Sequence, residues 1–268
     1  MRHSWSEGVI SRTIVLALST VMASAALGQE QQGFSASNVQ VLYGWNFQEP
    51  GVSDDVPKSI FTFENTAAWS WGSSYLFVDV LRSWSDADAN AKEVYAEWFP
   101  SLSLRKLAGK TPGERFIRDV SATLGINTGI RSTGPAPFVL LPGVTFDLNV
   151  PGFNFVSLGA FAYVDRGQFQ GQPTGCHGTT YQLTPAWSLP FVLGRVGFRF
   201  DGFVDFIGSH ADCEAMIISQ PQLKLDLSSL WDNPGRLYLG AEFAYWHNKY
   251  GIADLEDKVL QPLLVWTF

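Results

Sequence analysis

The stretch Val196-Gly-Phe-Arg-Phe-Asp-Gly-Phe-Val-Asp-Phe206 decides the fold. Successive side chains of a β-strand point to opposite faces. Even positions give Val196, Phe198, Phe200, Val204 and Phe206, and odd positions include Arg199, Asp201 and Asp205. One face is continuously apolar while the other carries an arginine and two aspartates. A soluble sandwich would bury the Phe face, but would rarely keep so many charges in register behind it.

The same period recurs along the chain as segments of about ten residues separated by turn-rich stretches, the pattern of a transmembrane barrel. Val39, Val41, Tyr43 and Trp45 alternate with Gln40, Gly44, Asn46 and Gln48. Val120–Ile126 sets Val120, Ala122, Leu124 and Ile126 against Ser121, Thr123 and Asn127. Phe138–Leu148 turns Val144, Phe146 and Leu148 away from Thr145 and Asp147. Ile217–Leu227 sets Leu223 and Leu225 against Gln220, Gln222, Lys224 and Asp226. In Leu237–Tyr245 the leucines face out and Tyr238 and Glu242 face in, followed by inward Trp246. About twelve such strands are expected, antiparallel and closed: an all-β fold.

Composition agrees. Hydrophobic residues make up 46% and charged residues only 16%, with 20 Phe and 10 Trp. That is more apolar surface than a core needs and too little charge to coat an outside; facing lipid uses the surplus. A large soluble β-sandwich or barrel is the alternative. Net charge is −7, which speaks against nucleic acid as a partner, since no basic stripe exists to neutralise phosphates. Every apolar run is interrupted within about ten residues, short of the ~20 that a helical span needs.

The N-terminus reads as a secretory signal. Arg2, His3 and Arg12 precede the apolar run Thr13–Ala26, and Ala26-Leu27-Gly28 offers a small-residue cleavage site, with Ala25 as the alternative point. The expected organisation is a signal peptide over 1–28, a polar segment over 29–37 and an outer-membrane barrel over 38–268. A periplasmic N-terminus then puts the longer connections outside, although the basic stretch Arg105–Glu114 is a long connection at the supposedly short end. Trp45, Trp69, Trp71, Trp98, Trp187, Tyr245 and Trp266 supply an aromatic belt. The last strand, Lys258–Phe268, places Leu260, Leu264, Trp266 and Phe268 on one face. It resembles the C-terminal strand by which outer-membrane proteins are handed to the barrel assembly machinery.

Several stretches carry a family likeness: Val39–Pro50, Phe61–Glu64, Tyr75–Asp79, Leu183–Trp187, Phe200–Asp205, Gln220–Gln222, Tyr245–Gly251 and Val265–Phe268. In order and spacing they resemble the Tsx-like nucleoside-specific channels and their OmpK relatives, and the OmpK members more closely. The resemblance implies a monomeric barrel of about twelve strands whose narrow lumen binds nucleosides along its wall. The family also includes phage receptors, so a phage is a further implied partner.

The inward residues fit such a solute. Aromatic rings stack a base, at about 1–3 kcal/mol each, and carboxylates accept from ribose hydroxyls and exocyclic amines. The candidate lumen set is Tyr75, Phe77, Asp79, Tyr95, Glu97, Asp201, Phe203, Asp205, Glu242 and Trp246, with inward Thr62, Glu64, Gln182 and Thr184 nearby. The competing reading is that these residues only fill and pair inside the barrel. Phe99, Phe155 and Phe161 face in and would plug a small barrel. Arg199 with Asp201 or Asp205, and Lys224 with Asp226, are candidate ion pairs. No cofactor is implied.

Cys176 and Cys213 fall in consecutive outer loops of an exported chain, and a disulfide between them is expected. A free pair, or a zinc site with His177 and His210, is the alternative. An enzyme would need a nucleophile constellation; beyond His3, His177, His210 and the pair His247-Asn248, no serine motif accompanies a histidine. The remaining rival is a receptor or structural barrel without a dedicated solute, whose acidic loops carry Asp54, Asp55, Asp86, Asp88, Asp254, Glu256 and Asp257.

Overall fold

The computed structural model describes residues 33–133, 136–167, 176–231 and 233–268. The expected signal peptide over 1–28 and the first residues of the polar segment lie outside the described residues. The strands are β1 (Phe34–Phe47), β2 (Val56–Trp69), β3 (Gly72–Ser83), β4 (Lys92–Ser103), β5 (Ile117–Arg131), β6 (Phe138–Leu148), β7 (Phe155–Asp165), β8 (Gly178–Leu193), β9 (Val196–Ile207), β10 (Met216–Ser219), β11 (Gln222–Asp226), β12 (Leu237–His247) and β13 (Asp257–Thr267). Each pairs antiparallel with its neighbours, and β13 pairs with β1, from Asn38↔Thr267 to Leu42↔Leu263. The sheet therefore closes on itself and has no free edge.

Both β10 and β11 lie between β9 and β12. They are one wall strand interrupted at Gln220-Pro221, so the wall has twelve strands. Proline has no N–H to give a ladder, yet its carbonyl still accepts from Phe243 N at 3.0 Å. The wall also begins earlier than the sequence suggests. Residues 34–37, assigned above to the polar segment, pair with β2 (Phe34↔Ala68, Ser37↔Asn65), and Asn65 Nδ2 ties them there by donating to Ser35 Oγ at 3.1 Å and Ser37 Oγ at 2.9 Å.

The alternation holds as two physical surfaces. Outward side chains lie exposed around the barrel: Val41, Phe61, Val80, Trp98, Leu124, Leu183, Phe200, Leu223, Leu239, Leu260 and Leu264. Their inward neighbours are buried, among them Gln40, Thr62, Asn127, Gln182, Asp205, Glu242 and Gln261. Trp45 and Trp84 are exposed near one end of the barrel, and Trp71, Trp231 and Trp266 near the other. That is the placement of two interfacial girdles.

Connections at one end are mostly tight: residues 70–71, 149–154 and 194–195. The basic stretch after β4 belongs to this end too. It is drawn in by one helical turn, Leu104–Leu107, capped by Ser103 Oγ accepting from Lys106 N, while Lys106 Nζ donates to the Trp69 carbonyl at 2.9 Å. The connection from β11 to β12 lies at this end as well, and the remaining six open at the opposite end, here called the mouth.

Two apolar clusters fill part of the interior. One joins Leu42, Phe47, Val56, Ile60, Val259 and Leu263; the other joins Val139, Leu141, Phe161, Tyr163, Ile207 and Met216, with Phe99 against it. The inward rings need glycines beneath them. A Cβ on Gly125 would stand 2.5 Å from the Phe99 ring, and one on Gly159 would stand 2.3 Å from the Phe161 ring. Phe99 and Phe161 thus narrow the lumen, while Phe155 stays exposed at the start of β7.

The apolar outer face has a direct test. Arginine at a lipid-facing position near the bilayer midplane costs a barrel about 2–4 kcal/mol. Val41→Arg is expected to destabilise the protein by that much when it is unfolded from lipid vesicles by urea. A change within about 0.5 kcal/mol, as at an ordinary water-exposed site, would show that this face does not meet lipid.

Candidate functional site

A cavity of about 820 Å³ occupies the mouth half of the barrel. Phe77 and Asp79 enter it from β3, Tyr95 and Glu97 from β4, Phe203 and Asp205 from β9, and Trp246 from β12. These are seven of the ten lumen residues expected from the sequence. The strand period aims them: each sits two residues from another inward position on its own strand. Phe77 and Tyr95 have ring centroids 5.9 Å apart. Tyr95 donates to Glu97 Oε1 at 2.5 Å, and Asn127 donates to the same oxygen at 2.8 Å. Asp79 accepts from Thr62 at 2.5 Å. Asp205 accepts from Gln182 at 3.0 Å and Thr184 at 2.5 Å.

The other three expected residues point inward but lie off the cavity. Tyr75 donates to Glu64 at 3.0 Å. Glu242 is buried between Gln222 and Gln261, which donate to it at 2.8 and 2.9 Å. Asp201 is held by Arg199 at 2.7 Å and Lys224 at 2.6 Å. The expected Lys224–Asp226 pair does not form. Asp226 ends β11 and instead accepts from Ser228 Oγ, Ser229 N and Gly235 N, ordering the turn into β12. Lys224, freed from it, reaches across to Asp201.

The mouth is not announced by the sequence. Asp257, counted above among the acidic loop residues, is only 3% exposed, and Lys249 only 2%. Lys249 Nζ lies 3.0 Å from Glu49 and 2.7 Å from Asp257, and donates to the Gln48 carbonyl. Glu49 also takes Lys58 at 2.5 Å and Arg131 at 3.6 Å. Arg131 approaches Glu93 at 3.5 Å and lies over the Tyr250 ring, 4.8 Å from its centroid. Charges remote in sequence are thus knitted across the opening, and nothing in their local spacing announces it.

Cys176 and Cys213 form a disulfide with Cα atoms 5.4 Å apart. Their sulfurs lie 3.5 and 3.9 Å from the Tyr250 carbonyl oxygen. Gly251, at φ +74°, fits beneath them, since a Cβ there would stand 2.5 Å from Cys213 Cβ. The zinc alternative therefore gives way to a covalent brace on the segment that carries Lys249. His210 lies 3.3 Å from Asp165. His247 Nδ1 is 2.6 Å from Glu256, whereas Asn248 donates to the Ala215 carbonyl.

Burial alone would raise the Glu49 carboxyl, but Lys249 and Lys58 outweigh it through charge and hydrogen bonds and hold it below its ordinary value of 4.5. Burial alone would likewise lower the Lys249 ammonium, and Tyr250, Asp257 and Glu49 outweigh it and raise it.

These features define the class: a closed antiparallel barrel with an apolar exterior, a polar chambered interior and an ion-paired mouth. Residues 36–267 match the family described as a domain of unknown function (DUF5020), and the chain belongs to that family. No curated protein is significantly similar in sequence. Among solved structures, the chain is similar to the translocator domain of autotransporter NalP from Neisseria meningitidis, at 13% identity and TM-score 0.40, covering 98% of this chain and 97% of that one. It is also similar to the COG4313 outer membrane channel from Pseudomonas putida F1, at 10% identity and TM-score 0.43, covering 90% and 98%.

A carboxyl with a depressed folded value contributes stability above its unfolded value and loses it as pH falls through the folded one. Protease resistance of the mouth loops is therefore expected to persist from neutral pH down to 4.5 and to fail only on further acidification. Loosening centred above 4.5 would contradict this. Glu49→Gln leaves Lys58, Lys249 and Arg131 short of a counter-charge, and loss of one partner from a buried pair costs about 3–5 kcal/mol. The oxidised protein should weigh two hydrogen atoms less than the reduced one. Reduction should expose 248–256 to protease while the wall keeps its heat-resistant mobility on a gel; unchanged cleavage would mean the disulfide braces nothing there.

Proposed function

We propose that the chain is a bacterial outer-membrane channel for small solutes, with nucleosides as the solute class. The observation that carries this reading is the chamber of about 820 Å³ inside a closed barrel, where Phe77, Tyr95 and Phe203 face the same space as Asp79, Glu97 and Asp205. That volume falls among the ~300–1,000 Å³ pockets that hold small molecules. Rings spread over three strands suit a solute that must be held weakly and released. The exposed apolar band supports lipid as the surrounding medium, and the N-terminal sequence supports export through a cleaved signal peptide. The resemblance to Tsx-like channels supports nucleosides over other solutes. Each wall closes on itself, which fits a monomer.

A receptor or structural barrel is the second reading. The ion-paired mouth favours it, since Lys249 and Tyr250 fold over the opening.

Planar-bilayer recording separates the two. A channel should conduct and be blocked by adenosine more strongly than by a sugar of similar size. Phe77→Ala, which removes one stacking face, is expected to weaken adenosine block by about 5–150-fold, the equivalent of ~1–3 kcal/mol. Conductance indifferent to every nucleoside would sink the nucleoside assignment, and absent conductance would leave the receptor.

A further inference from the structure

The chamber wall has a surplus of hydrogen-bond acceptors. Asp79, Glu97 and Asp205 line it, and Glu64 and Glu242 lie within electrostatic reach of Asp79. Among the described residues, none of these five carboxyls lies within 4.0 Å of a lysine, arginine or histidine nitrogen. The interior cations are committed elsewhere. Lys58, Arg131 and Lys249 are matched at the mouth, and Arg199 and Lys224 are both on Asp201, from where Lys224 reaches Glu242 only at longer range.

The polar side chains beside the carboxyls are committed as well. Tyr95 and Asn127 donate to Glu97, Thr62 to Asp79, and Gln182 and Thr184 to Asp205. Two amides show the consequence. Asn127 is 6% exposed and its Nδ2 is used on Glu97, so its Oδ1 is left without a partner. Gln261 is fully buried and its Nε2 is used on Glu242, so its Oε1 is left without one too. Both side chains line the chamber. Buried polar atoms are ordinarily paired; in the chamber these two acceptors go unpaired, as do the Trp246 indole Nε1 and, at the mouth, Arg131 Nε.

We propose that the chamber selects small organic cations that carry N–H donors, of the primary ammonium or guanidinium type; this rests on the reading of the barrel as a channel. An ammonium offers three donors and no acceptor, and a guanidinium five donors and no acceptor. Either satisfies carbonyl and carboxylate oxygens together. A hydroxyl brings its own lone pairs against them, and an anion meets only like charge. The faces of Phe77, Tyr95 and Phe203 add cation–π attraction. Amino-bearing solutes are thus preferred over neutral polyols, and among nucleosides those with an exocyclic amine over those with a carbonyl in its place.

The test uses the full-length protein in planar bilayers under a potassium chloride gradient. The reversal potential should show cation selectivity. 1,4-Diaminobutane should block the current at a concentration at least about tenfold lower than tetramethylammonium, a cation without N–H donors. Asn127→Leu and Gln261→Leu should narrow the ratio between the two blockers. Glu97→Gln, nearly isosteric, should weaken cation selectivity and guards against misfolding of the leucine variants. Equal block by the two cations, or anion selectivity, overturns the inference. If adenosine still blocks in that case, the channel reading stands without it. If no current flows, titration calorimetry of 1,4-diaminobutane into the detergent-solubilised barrel decides. Binding weakened by Glu97→Gln keeps the inference and discards the channel, whereas no binding discards both.

Discussion

The pairing of β13 with β1 is the constraint on which the other features rest. Once Val39 faces Trp266 and Val41 faces Leu264 across that seam, the sheet has no edge left to satisfy. A closed ladder is one of only two ways a chain can carry its backbone polar groups through hydrocarbon. Closure also divides each strand into two surfaces with no intermediate choice, because the side-chain period is two. Val41, Phe61, Val80 and Leu264 fall outside, and Gln40, Thr62, Asp79 and Val265 fall inside, from the same register.

The inner surface then faces a problem that the outer one does not. Its polar groups are shut in and must answer one another. Near the mouth they do so with ions: Glu49 stands among Lys58, Arg131 and Lys249. Toward the tight-turn end Asp201 stands between Arg199 and Lys224. Between these two networks Asp79, Glu97 and Asp205 are met only by hydroxyls and amides, and the acceptors of Asn127 and Gln261 are left over. The chamber's chemistry is what remains after both networks have taken the available cations.

Much of this was legible in the sequence. Alternation assigned faces on nearly every strand, and the inward parity of Phe77, Glu97, Asp205 and Gln182 followed directly. The two cysteines could be placed in adjacent loops because strands had already been counted. Heights along the barrel were not legible, so Tyr75, Asp201 and Glu242 were grouped with residues they do not join around the cavity. Partner choice was not legible either: Lys224 has Asp226 two positions away on its own face but spends its charge on another strand. The mouth was the least readable part. Lys249 looks like any loop lysine until Glu49, about two hundred residues earlier in the chain, is brought beside it by the seam. Residues 34–37 and the Pro221 break were obscured for a simpler reason, since a closed wall tolerates polar and proline residues that a soluble strand would not.

The central claim is that one strand divides water from lipid at every residue. Single cysteines placed in turn from Phe198 to Phe206, in a chain whose Cys176 and Cys213 are joined in their disulfide, test it residue by residue. Positions 199, 201, 203 and 205 should react with a water-soluble maleimide in vesicles. Positions 198, 200, 204 and 206, carrying a fluorophore, should instead be quenched by brominated lipid. Labelling and quenching that ignore parity, or water access on both faces, would contradict the barrel as described.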